Sequence, residues 1–203
     1  MQVFLIHGMG RTPASMGWLA VRLRLAGYVP HLFGYSVTLE TLDGIAARFK
    51  DHIDDEVSGG EPYAVVGHSL GNIITRLALP DLPPGFERFV MLAPPNSSPA
   101  MARELQDHPL YQLVTRDAGQ KLCDEEFYAD LPVPQMPTLI LAGTRGVDAG
   151  WHPLGGKAND AVVALDETRL GDIAVVEIPG VHSFLMNRSD VFERTRDFLA
   201  AAD

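Results

Sequence analysis

Residues 63–66 read Tyr-Ala-Val-Val, and this apolar run stops at Gly67-His68-Ser69-Leu70-Gly71. A helical stretch over 69–79 follows directly, until Pro80 breaks it. A short strand without polar alternation belongs where both its faces are buried. The chain therefore passes from buried strand to helix within a residue or two. Such a turn forces an unusual backbone conformation on Ser69 and lifts its hydroxyl out of the sheet. It also needs glycine on either side, where strand and helix approach closely.

The rest of the chain repeats this alternation. Strands are expected at 3–6, 30–35, 63–66, 89–92, 138–142 and 173–178. Helices are expected at 15–26, 38–57, 69–79 and 189–202, with a shorter one at 165–170. This order predicts an α/β fold: a mainly parallel sheet of about six strands between two helical layers, a three-layer α/β/α sandwich. Right-handed crossovers set its hand. At 203 residues the default is one domain, spanning 1–203. Prolines at 94, 95, 99, 109, 132 and 134 mark 94–135 as a short, irregular, cap-like insertion with one or two short helices.

Composition narrows the partners. Apolar residues make up 46% and charged residues 21%, an ordinary globular balance. A net charge of −10 gives no electrostatic footprint for nucleic acid or an anionic membrane. The single cysteine, Cys123, excludes an internal disulfide, a CxxC zinc site and iron–sulfur ligation. No run approaches the roughly 18–20 apolar residues of a membrane span. The opening MQVFLIHGMG lacks a basic n-region, so a cytoplasmic location is expected.

In an open parallel sheet, ligands bind at the carboxyl ends of the strands. Gly67-His68-Ser69-Leu70-Gly71 is a G-x-S-x-G with strand before and helix after, which makes Ser69 a candidate nucleophile. The helix N-terminus behind it favours developing negative charge. The first strand ends in His7-Gly8-Met9-Gly10. A glycine-flanked turn there can aim the Met9 N–H at the site, and Leu70 supplies a second N–H. Two such donors form an oxyanion hole. Neither G-x-x-x-x-G-K-[ST] nor G-x-G-x-x-G is present, which sets phosphate loops and dinucleotide binding aside.

A serine nucleophile needs a base. Among seven histidines, His182 stands just past the last expected strand, in Gly180-Val181-His182-Ser183-Phe184. His68 adjoins Ser69, but the turn points their side chains apart. His7 is better placed as a structural turn residue. No two histidines have H-E-x-x-H spacing, so no metal is expected. The orienting acid belongs between serine and histidine in chain order, after the strand at 138–142. Asp160 is favoured, because the small and apolar residues after it can pin it. Asp148 is the second candidate. Asp166 and Glu167 are placed as first-turn acids of the helix at 165–170.

FLIHGMG, VVGHSLG, LILAGTRG, NDAVV and IPGVHSFL, with Ser69, Asp160 and His182 in that order, resemble the α/β-hydrolase superfamily over essentially the whole chain. The likeness is to its compact, lid-poor bacterial lipases and esterases. One departure stands out: many relatives carry the acid soon after the strand, near where Gly146 stands here. The resemblance implies hydrolysis of carboxylic esters, small acyl esters or lipids, through an acyl-enzyme and without a cofactor. The same triad serves thioesterases, amidases and acyltransferases, and a catalytically silent binding protein can keep the fold. An open cleft is expected, walled by Met9, Leu70, Pro94, Pro95 and Phe184, with Trp151 and His152 at its rim.

Overall fold

The computed structural model describes residues 1–201. Six strands form one sheet: β1 (Gln2–Ile6), β2 (Val29–Phe33), β3 (Tyr63–His68), β4 (Phe86–Leu92), β5 (Thr138–Gly143) and β6 (Val175–Ile178). Their order is β2-β1-β3-β4-β5-β6, and every neighbouring pair is parallel. All carboxyl ends therefore reach the same edge. The chain winds one way from β1 to β2 and the other way from β3 onward. The switch between β1 and β3 opens a crevice at that edge.

Strand side chains alternate between two buried faces. Phe4, Ile6 and Val65 pack with α2 (Leu42–Glu56) and α3 (Leu70–Ala78). Val3, Leu5, Ala64 and Val66 pack with α1 (Gly17–Leu25) and α7 (Ser189–Ala200). Burial on both faces explains the unbroken apolar runs. Among the described residues, no helix is long and apolar enough to cross a membrane.

Several boundaries differ from expectation. A 3-10 turn, Pro13–Met16, replaces the first turn of the helix expected at 15–26. The helix expected from 38 begins at Leu42, because the Thr41 side chain accepts the Gly44 N–H at 3.2 Å and caps it there. The closing helix ends at Ala200; its expected extension to Ala202 lies outside the described residues. Only a 3-10 turn, Asp166–Thr168, occupies the helix expected at 165–170.

The insertion at 94–135 is more helical than expected. It carries α4 (Ala100–Leu105), α5 (Pro109–Lys121), broken by a kink at Arg116 (φ 52°), and α6 (Glu125–Asp130). Its prolines start helices as well as interrupting them. Pro99 is the N-cap of α4, and Pro109 opens α5 behind the capping side chain of His108. Arg76 on α3 ties both ends of the insertion down. Its guanidinium donates to the carbonyls of Leu131 (2.9 Å) and Pro132 (3.0 Å) at the exit and to Asn96 Oδ1 (3.3 Å) at the entry.

Candidate active site

Ser69 follows β3 with φ 52° and ψ −121°, a conformation rare for any residue but glycine. The surroundings over-determine it. The Ser69 N–H donates to the Leu92 carbonyl at 2.9 Å. Asn72, fully buried, donates its side-chain amide to the carbonyls of Ser69 (3.0 Å) and Leu92 (3.1 Å). A Cβ at Gly67 would strike the Asn72 side chain, and one at Gly71 would lie 2.6 Å from the Ile6 carbonyl oxygen. Both glycines are demanded by close approach.

The turn after β1 lies against this elbow. The Arg11 N–H closes it on the Gly8 carbonyl at 3.2 Å. His7 is buried beneath, its ring stacked on Tyr35 at 4.2 Å, with Nδ1 donating to the Gly8 carbonyl at 2.8 Å. Burial holds its pKa below the usual histidine range. The N–H groups of Met9 and Leu70 donate to no other backbone group among the described residues, and both residues face the cavity that Ser69 faces.

The loops after β5 and β6 bring Asp160 and His182 together. His182 Nδ1 donates to Asp160 Oδ2 at 2.7 Å, and the His182 N–H donates to the Asp160 carbonyl at 2.9 Å. The two residues are only 1% and 6% exposed. Asp160 Oδ1 accepts the N–H groups of Val162 (3.0 Å) and Val163 (2.8 Å). Both carboxylate oxygens are thus occupied, and the imidazole is held with Nε2 as its acceptor nitrogen. The Ser69 hydroxyl makes no hydrogen bond among the described residues, so no bond links it to Nε2 in this state. Such links commonly tighten only with substrate in place.

Asp148, the second candidate, lies away from the imidazole. It is exposed and accepts the Gly156 N–H at 3.3 Å. Asn159 shapes the long loop before Asp160: its side chain bonds both the N–H and the carbonyl of Val147 at 2.9 Å. Asp166 and Glu167 do stand in the first turn of the short 3-10 helix that forms there, but their side chains part. Asp166 is exposed and pairs with Lys157 at 3.0 Å. Glu167 turns inward, where its carboxylate accepts the N–H groups of Ala100 (2.7 Å) and Ala164 (2.8 Å), joining the insertion to the acid loop.

Sequence reasoning missed the part His68 takes. Its ring runs beneath the base. Its Nε2 donates to the His182 carbonyl at 3.0 Å, with the two rings 4.9 Å apart. Burial, and next the neighbouring His182, hold its pKa well below the usual histidine range. Asn72, Arg76 and Asn159 were missed too; each acts through partners that local sequence does not display.

Ser69 opens into a cavity of about 270 Å³. Its wall is Met9, Leu70, Pro95, Pro99, Met101, Ala102, Leu105, Tyr111, Leu122, Val162 and Val163. The expected open cleft is therefore partly roofed, since α4 and α5 of the insertion supply much of this wall. Of the expected substrate contacts, Met9, Leu70 and Pro95 line it. Pro94 is buried outside it. Trp151 is 84% exposed and stands edge-on to His152, and Phe184 is 58% exposed, beneath the Arg11 guanidinium at 5.8 Å. Neither lines the cavity: Trp151 faces solvent, and Phe184 lies exposed on the 3-10 turn His182–Asn187.

The fold is shared with solved hydrolases. The phospholipase PlaB from Legionella pneumophila superposes with a TM-score of 0.76 at 16% identity, over 99% of this chain and 59% of that one. This chain therefore spans about three-fifths of the PlaB structure. The mature Bacillus licheniformis lipase BlEst2 gives 0.71 at 16% identity, over 99% of this chain and 92% of that one. An extracellular alpha/beta-hydrolase from a Paenibacillus species gives 0.61 at 16%, with each chain covered in full. No curated protein matches the sequence. The family model for the alpha/beta hydrolases matches residues 3–200, and the chain belongs to that family.

Proposed function

We propose that the protein is a serine hydrolase that cleaves carboxylic esters, of small acyl groups or lipids, through an acyl-enzyme on Ser69. The buried bond from His182 Nδ1 to Asp160 Oδ2, at 2.7 Å, carries this reading. A carboxylate in that place selects the tautomer whose Nε2 can accept a proton, and it stabilises the imidazolium that forms.

Ser69 Oγ attacks the acyl carbonyl carbon while its proton passes to His182 Nε2. The carbonyl electron pair moves onto oxygen, where the N–H groups of Met9 and Leu70 receive the charge. The bond to the leaving oxygen breaks as that oxygen takes the proton from Nε2. Water then gives a proton to Nε2 and attacks the acyl carbon. Collapse releases the acid and returns the proton to Ser69 Oγ. The strained backbone at Ser69 keeps the nucleophile raised beside both donors throughout.

The test is intact mass after exposure to a fluorophosphonate, followed by peptide mapping. One adduct on Ser69 is expected. A folded protein that takes no adduct overturns the reading in favour of a silent binding protein of hydrolase fold. The panel that follows compares esters with thioesters and amides of one acyl group, because the triad acts on the acyl side common to all three.

A further inference from the structure

The cavity beside Ser69 has one chemical character. Among the described residues, only Ser69 and Tyr111 bring hydroxyls to its wall, and no charged side chain lines it. The Tyr111 hydroxyl is directed to the Gly119 carbonyl at 3.4 Å, and burial pushes its pKa up to about 12. What Tyr111 offers the cavity is therefore ring surface.

The placement of the donors decides which half of an ester enters. Met9 and Leu70, whose N–H groups would hold the acyl oxygen, both line the cavity. His182, which must hand its proton to the leaving group, is not part of the wall. The leaving group therefore lies on the His182 side, next to exposed Val181 and Phe184, and the acyl chain points inward under α4 and α5.

Size sets the length. A cavity of about 270 Å³, open to solvent on one side, holds at most about nine groups of the roughly 30 Å³ that a water occupies, and a methylene is of similar size. We propose that this cavity is an acyl site for an uncharged aliphatic chain of about six to ten carbons, with Ala102 and Met101 of α4 in its wall. The proposal rests on the serine-hydrolase reading. A chain ending in a carboxylate is rejected, because no partner meets the charge once it is buried. Each methylene buried raises kcat/KM by about fourfold until the cavity is full.

The experiment measures kcat/KM for p-nitrophenyl esters from acetyl to palmitoyl. The expected profile peaks between about six and ten carbons, at least about 100-fold above acetyl. The p-nitrophenyl monoester of suberic acid, an octanoyl chain with a terminal carboxylate, is expected at least about 100-fold below octanoyl. Ala102→Leu should lower the octanoyl-to-acetyl ratio at least about tenfold by filling the cavity. Met101→Ala, at a less buried position, should move the peak to longer chains. Trp151→Ala, outside the cavity, should leave the ratio unchanged.

A flat profile, a preference for acetyl, equal use of the suberyl ester, or an unchanged ratio in both α4 variants overturns the proposal. Loss of turnover at every length sinks the hydrolase reading, and calorimetry on Ser69→Ala protein then separates the two ideas. Octanamide bound at least about 100-fold more tightly than acetamide supports the cavity's preference; equal or absent binding overturns it.

Discussion

The floor of the site and its roof are held by different means. The floor is built from the ends of β1, β3, β5 and β6, and backbone geometry enforces it. Ser69 sits at φ 52° and Ala161 at φ 83°, glycines stand where a Cβ has no room, and main-chain bonds such as His182 N–H to the Asp160 carbonyl lace the loops together. The roof, 94–135, has one such turn at Arg116 (φ 52°) and one crowded glycine, Gly119, but it is fastened to the rest of the fold by a few buried side chains. Arg76 grips both its ends, and Glu167 holds the first turn of α4. Toward the cavity the roof presents apolar side chains and the ring of Tyr111. The part proposed to do the chemistry is thus fixed where small displacements matter most. The part that shapes the pocket can change by exchanging side chains on helices already in place.

The sharpest way to break this contrast is at Asp160. Asp160→Asn is expected to lower kcat by about 10⁴-fold, because the amide no longer selects the productive imidazole tautomer. That is about 5.5 kcal/mol of transition-state stabilisation. Its side-chain oxygen can still accept from Val162 and Val163, so the melting temperature should change little. Asp148→Asn, at an exposed loop position, is expected to change kcat by less than about twofold. Ester turnover by both variants decides it; the reverse pattern would move the acid to Asp148 and undo the account of the floor.

The same contrast explains what the sequence displayed. The elbow was legible because Gly67, Ser69 and Gly71 meet a local steric demand at fixed spacing. The strands were legible because burial on both faces leaves an apolar run, and Asp160 and His182 follow strand ends. The roof was not. Pro99 and Pro109 look like breakers until they are seen as helix starts. Asp166 and Glu167 are neighbours of like charge, yet one is exposed beside Lys157 and the other buried on two main-chain N–H groups. Local composition is blind to that difference, since the partners of Glu167 include Ala100, far away in the chain. Arg76 and Asn72 were hidden for the same reason: their partners are carbonyl oxygens, which carry no residue-type signal. Trp151 and Phe184 are both exposed and neither lines the pocket, since the direction of a side chain on such segments depends on packing that local sequence does not display.

Arg76 tests the roof directly. Burial pulls its pKa down to about 10, consistent with a guanidinium held by carbonyl and amide oxygens. Arg76→Met keeps the stem and strands three buried acceptors, so a loss of about 3 kcal/mol in unfolding free energy is expected. Urea denaturation measures it. The damage should fall on the roof, so KM for an octanoyl ester should rise more than kcat falls. A kcat loss with KM unchanged would mean that Arg76 supports the floor instead.

The smallest expected effect lies under the floor, at His68. It is 1% exposed, and burial holds its pKa well below the usual value. In the unfolded chain it titrates near pH 6.5, about one group's worth of protons. Below that pH the unfolded state binds a proton that the folded state refuses. Stability is therefore complete above about pH 7.5 and falls as pH drops, by about 1.4 kcal/mol per unit from this residue. His7 and His52 are shifted the same way by burial, so the whole protein should fall more steeply than one group predicts. His68→Gln can still donate to the His182 carbonyl while carrying no titrating proton. Unfolding free energies between about pH 7.5 and 5 should then show a slope shallower by about one proton than in the unsubstituted protein. Equal slopes would mean that His68 accepts its proton in the folded state, and that the bond beneath His182 tolerates a charge.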